Sequence, residues 1–139
     1  VGPIEVSKVE LLLKRITAAP SDVFVEVRST AIGTIFATSQ VITGSTISTS
    51  TLTWVEFRFS QPPSLLPLSS YVIRLRSLPK STDAGSGSVG LLHWGYRQQL
   101  GSPYSGGTAM RYIGRLSNAS DPGETLTDYD FSFRVYDLQ

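Results

Sequence analysis

One histidine, His93, and no cysteine set the limits on nucleophilic chemistry in this 139-residue chain. A serine nucleophile needs an activating base and a third group that orients the base. His93 with Asp83 or Asp128 is the pairing on offer, but no nucleophile-elbow pattern accompanies it. Glycoside hydrolysis needs two carboxylates at a set separation. Glu26 and Glu56 both fall on the outward parity of strand-like stretches, where a solvated charge is the ordinary reading. The sequence therefore assigns no catalytic residue and points away from an enzyme.

Aromatic residues carry more information. Sugar rings present apolar C–H faces that dock flat on indole or phenol rings, while neighbouring polar side chains bond the hydroxyls. Trp54, Trp94, Tyr96 and Tyr104 are the candidates, with Arg97 and Gln99 as polar partners, and Tyr112 and Phe24 behind them. For Trp94, a place with Leu92 in the core is the simpler reading. Trp54 sits opposite Val55, Phe57 and Phe59 in parity, so it needs a ligand or a covering group. Arg28, Arg58, Arg74, Arg76 and Arg134 also share the outward parity. On adjacent strands they would form a basic stripe for an acidic polysaccharide; cross-strand pairing with Glu26, Glu56 and Asp130 is the simpler expectation.

Carboxylates concentrate at Asp121, Glu124, Asp128 and Asp130. Calcium takes six to eight oxygen ligands in flexible geometry. The spacing matches no EF-hand loop, and a merely solvated acidic loop competes with a metal site. Asn118-Ala119-Ser120 fits a glycosylation acceptor, a pattern that recurs by chance.

The elements that must hold these residues read as strands. Val9, Leu11 and Leu13 alternate with Lys8, Glu10 and Lys14, and Val23, Val25 and Val27 with Glu26 and Arg28. Leu52–Phe59, Ser70–Ser77 and Tyr129–Tyr136 repeat the period of two that marks one buried and one wet face. Thr34–Ile42, Val89–Tyr96 and Thr108–Ile113 complete about eight strands, with Gly, Pro, Ser and Asp clusters between them. Arg115–Leu126 reads as irregular, and the Ser/Thr-rich Thr43–Thr53 as a loop or edge strand. No alternating helices support a parallel sheet. The expected fold is all-β, a two-sheet antiparallel sandwich. Its expected core is Val9, Leu11, Leu13, Val25, Val27, Val55, Phe57, Phe59, Ile73, Leu75, Phe131, Phe133 and Val135.

The length fits one domain, residues 1–139. A formal net charge of +1 gives no case for a nucleic-acid partner. No apolar run reaches the roughly 18 residues of a membrane helix. A start at Val1-Gly2-Pro3 reads as a piece excised from a larger multidomain protein, whose other domains are then partners.

Several segments together resemble a known family: Val9-Glu10-Leu11-Leu12-Leu13, Gly33-Thr34-Ile35-Phe36-Ala37-Thr38-Ser39 and Trp54-Val55-Glu56-Phe57-Arg58-Phe59. Tyr71-Val72-Ile73, Trp94-Gly95-Tyr96, Tyr104-Ser105-Gly106-Gly107-Thr108-Ala109 and Asp130-Phe131-Ser132-Phe133-Arg134-Val135-Tyr136 continue the match. This looks like the jelly-roll modules of secreted or surface-attached bacterial and phage-related proteins, which are similar to carbohydrate-binding modules and choice-of-anchor domains. One departure is Leu66-Pro67-Leu68-Ser69-Ser70-Tyr71, where family members often carry a glycine before the tyrosine. The resemblance implies a jelly roll, an extracellular or cell-surface setting, no required cofactor and, in many relatives, a structural calcium. It implies a non-catalytic accessory module that binds polysaccharide or surface glycan; a structural or protein-interaction domain of a surface or virion assembly is the alternative.

Overall fold

The computed structural model describes residues 2–15, 22–78, 92–98, 109–111, 124–126 and 129–138. In chain order its strands are β1 (Ile4–Arg15), β2 (Val23–Arg28), β3 (Ile35–Thr38), β4 (Thr53–Arg58), β5 (Ser64–Leu65) and β6 (Val72–Ser77). They continue with β7 (Leu92–Trp94), β8 (Tyr96–Gln98), β9 (Ala109–Arg111), β10 (Glu124–Leu126), β11 (Tyr129–Phe131) and β12 (Phe133–Asp137). The only helical element among the described residues is a 3-10 turn at Gly44–Thr46.

β1 is the spine of the first sheet. β4 runs antiparallel along one edge, from Lys8 opposite Arg58 to Leu13 opposite Thr53. β12 takes the other edge, from Val6 opposite Asp137 to Leu11 opposite Phe133. β7 replaces it from Leu13 to Arg15, and the two-residue β5 pairs with Ile4 and Glu5. The second sheet has the order β3-β2-β6, also antiparallel. The inner faces meet in one core of Val6, Val9, Leu11, Leu13, Phe57 and Phe59 against Val23, Val25, Val27, Ala37 and Leu75. The chain is thus an all-β two-sheet antiparallel sandwich. β8 with β11 and β9 with β10 form separate two-stranded ribbons; the β10 segment lies within a stretch that reads as irregular from sequence.

Strict alternation places most of this core, and local breaks explain the exceptions. A register shift between Val6 and Lys8 reverses the parity, so Val6 turns inward beside Val9. Ile47 is buried just after the 3-10 turn. The Arg15 side chain and backbone amide anchor that segment by donating to the carbonyls of Ile47 and Ser48 at 2.7 and 2.9 Å.

The expected core needs correcting at its C-terminal strand. Val135 and Phe133 sit opposite Val9 and Leu11, so their parity is inward, yet they are 47% and 38% exposed. Among the described strands β12 pairs only with β1. At such an edge an inner-face side chain still meets solvent. Val55, Ile73 and Phe131 are half-buried.

The first sheet forks at Leu12. The Gly95 amide donates to the Leu12 carbonyl at 2.7 Å, the Ser132 amide to Gly95 at 2.8 Å, and the Leu12 amide to Ser132 at 3.3 Å. Beyond this ring β7 stays on β1, whereas β8 leaves it to pair with β11. Glycine lets the strands approach closely here: a Cβ on residue 95 would lie 2.7 Å from Leu12 Cδ2 and 3.3 Å from Leu12 Cβ, so the Leu12 side chain would have to shift.

Candidate functional site

The densest described chemistry lies on the outer face of the first sheet. Its rows follow from the register: Trp54 beside Leu12; Glu56, Glu10 and Arg134 across three strands; Arg58, Lys8 and Tyr136 in the next row. Two carboxylates directly opposite would repel. Lys8 resolves this from the neighbouring row, with Nζ 2.6 Å from Glu56 and 3.4 Å from Glu10. Its ammonium also lies 4.3 Å from the Tyr136 ring centroid. The Tyr136 hydroxyl donates to Glu10 Oε2 at 2.8 Å, and Arg134 approaches the same oxygen at 3.5 Å. Arg58 pairs with Glu56.

These contacts set the titration of the face. The Tyr136 hydrogen bond, aided by Lys8 and Arg134, holds Glu10 below the ordinary carboxylate value against partial desolvation. Lys8 holds Glu56 down in the same way, and the Glu56 hydrogen bond raises Lys8. All three groups are charged at neutral pH.

Trp54 is 37% exposed beside this network. The Arg134 guanidinium lies 3.8 Å from its ring centroid, a cation–π stack. The covering group that its parity demands is therefore an arginine from the last strand. Lys8, Glu10, Arg134 and Tyr136 belong to the candidate site although the spacing of aromatics does not single them out.

Trp94 has a different setting. Its ring stacks on Phe131, with centroids 4.8 Å apart and planes at 19°, and its Nε1–H donates to the Ser132 carbonyl at 2.9 Å. It packs against the core with Leu92 and pins the fork. The backbones of Tyr96 and Arg97 lie in β8, where Arg97 is opposite Asp130 and Tyr96 opposite Phe131. Gln99, Tyr104, Tyr112, Asp121 and Asp128 lie outside the described residues, and Glu124 and Asp130 are placed on β10 and β11. Among the described residues no group of three or more His, Asp or Glu gathers to hold a metal ion.

The expected arginine stripe is divided between the sheets. Arg58 and Arg134 belong to the first, while Arg28, Arg74 and Arg76 belong to the second, around Glu26. Here the expectation of a solvated outer face is overturned: Glu26, Arg28, Arg74 and Arg76 are all buried. Arg28 Nε donates to Glu26 Oε2 at 2.6 Å and Arg76 Nη1 to Oε1 at 2.9 Å. Arg74 donates to the Ala31 carbonyl at 2.6 Å, which draws the Ser29–Thr34 turn over the cluster. Glu26 and Glu56 occupy outer faces of different sheets, each engaged by its own cations, so they do not form a carboxylate pair.

Scans against protein-family models, curated proteins and solved structures find no match for this chain.

Proposed function

We propose that this chain is a non-catalytic accessory module of a secreted or surface-attached protein that binds a polysaccharide or cell-surface glycan. Its contact face is the outer side of the β12-β1-β4 sheet. The supporting observation is Trp54, a tryptophan still 37% exposed on this outer face, with Arg134 stacked on it and paired charged groups alongside. The part of the indole that Arg134 leaves open offers a sugar ring an apolar contact at low entropic cost. Arg134, Glu10, Lys8 and Glu56 hold one another in place, so their remaining donors and acceptors are oriented before a hydroxyl arrives. Trp94 with Tyr96, Arg97, Gln99 and Tyr104 is a second proposed contact region.

Affinity on one such platform should be weak, on the order of micromolar to millimolar. Titration with soluble plant, algal and bacterial glycans, followed by the indole NMR signals, tests the reading. A binding glycan should shift the Trp54 signal, and Trp54→Ala should abolish binding while the fold persists. If no glycan moves Trp54 or the Trp94 region, the structural or protein-interaction role replaces this one. That alternative draws on another part of the surface, around Phe36 and Leu68.

A further inference from the structure

The two charged rows on the outer face of the β12-β1-β4 sheet hold three cations, Lys8, Arg58 and Arg134, against two carboxylates, Glu10 and Glu56. The two signs are not equally accessible. The Glu10 and Glu56 side chains are 14% and 36% exposed, whereas those of Arg134 and Arg58 are 51% and 58% exposed. Lys8 lies half-buried between the carboxylates. The charge that an incoming ligand meets here is therefore mainly guanidinium.

The carboxylates draw first on other partners. Tyr136 and Lys8 stabilise the Glu10 anion ahead of Arg134, whose Nη1 stays 3.5 Å away, beyond the roughly 2.7–3.2 Å of a full N–H···O bond. Lys8, 2.6 Å from Glu56, likewise precedes Arg58 there. Arg58 engages Glu56 through Nε alone, and Arg134 engages Glu10 through Nη1 alone. Most N–H donors of both guanidiniums thus remain for a ligand, and their planar fork suits an anionic group.

Taking this face as the glycan platform proposed above, we infer that its ligand is an acidic glycan, whose carboxylate or sulfate groups bind Arg134 and Arg58. A sugar on the open part of Trp54 has the Arg134 guanidinium beside it, 3.8 Å from the ring centroid. An anionic substituent on that sugar reaches Arg134 without leaving the indole. Arg58 on β4 stands one row along from Arg134 on β12, with β1 between them. Two strand spacings amount to about 10 Å. One anionic group cannot bridge that span, so Arg58 serves a neighbouring sugar unit. Shielding of Glu10 and Glu56 makes the face selective, because a ligand anion meets the arginines before it meets either carboxylate.

Titration with oligogalacturonate, its uncharged methyl ester and dextran sulfate, followed by the Trp54 indole NMR signal, tests this. The acid should bind about three- to tenfold tighter than the ester, the gain of two exposed ion pairs. That preference should disappear as salt rises to roughly 0.5 M. It should also disappear in the double variant Arg58→Gln, Arg134→Gln, with the melting temperature preserved. A Trp54 shift with dextran sulfate and not with oligogalacturonate assigns the anion to sulfate; the converse assigns it to carboxylate. Equal binding of acid and ester at Trp54 overturns the acidic selectivity and leaves glycan binding standing. A preference that survives both high salt and the double variant overturns it too. Failure of every glycan, charged or neutral, to move Trp54 overturns the glycan platform along with it.

Discussion

Glu26→Gln should be the most damaging single-atom change on the outer face of the second sheet. The carboxylate accepts from Arg28 at 2.6 Å and from Arg76 at 2.9 Å, and all three residues are buried. Hydrogen bonds to charged groups contribute about 1.5–3 kcal/mol each. Removing one member of a buried ionic cluster costs about 3–5 kcal/mol, because the remaining charge stays desolvated. The amide keeps the shape but loses the charge and turns a donor toward a guanidinium. An expected loss of about 3–5 kcal/mol is a large share of the roughly 5–15 kcal/mol that holds a domain together. Urea titration with an unchanged m-value would measure it, and the melting temperature should fall by roughly 10 °C or more. Glu56→Gln is the control: Glu56 and its partners Lys8 and Arg58 all keep access to solvent, so the change should cost no more than about 1 kcal/mol. Equal and small losses for both would refute the claim that the Glu26 cluster is screened from water.

Two further outcomes follow from the first sheet. Gly95→Ala should destabilise the protein by about 1–3 kcal/mol, the usual cost of overpacking, because the new methyl group meets Leu12 at the fork; thermal melting would show it. Stability should also fall at both ends of the pH range. Glu10 and Glu56 titrate below their unfolded values, so their contribution is complete above the unfolded carboxylate range and is lost as pH falls through the lowered folded values. Lys8 is raised, so its share is present below the unfolded lysine value and disappears as pH rises through the folded one. Lys8→Met should flatten both limbs in a melting series across pH.

Period two was a sound guide wherever a strand had one inner face, as at Val9, Leu11 and Leu13 or Val25 and Val27. It reports which side chains share a face, and not what lies against that face. Glu26, Arg28, Arg74 and Arg76 have the expected parity, but their face is buried. Phe133 and Val135 have inward parity at a sheet edge, where burial depends on a neighbour that no local pattern encodes. Val6 hides behind a bulge, and Ile47 sits in a Ser/Thr-rich stretch without any period. Trp54 was legible as a misfit on the wet side. Its capping by Arg134 was not, since that contact joins the fourth and last strands across β1 and depends on register alone.

The pairing of β1 with β12 has a mechanical consequence. Val6 lies opposite Asp137, and the Leu138 amide donates to Glu5, so the outer ends of the first and last strands leave the sandwich side by side. Tension applied through both ends would load their hydrogen bonds one after another, as in a zipper, and not all at once, as in shear. The same geometry lets the sandwich be spliced into a loop of a host protein while spreading that loop by little more than the spacing between two strands, about 5 Å. Under such a load the sandwich would open at its seam before its core.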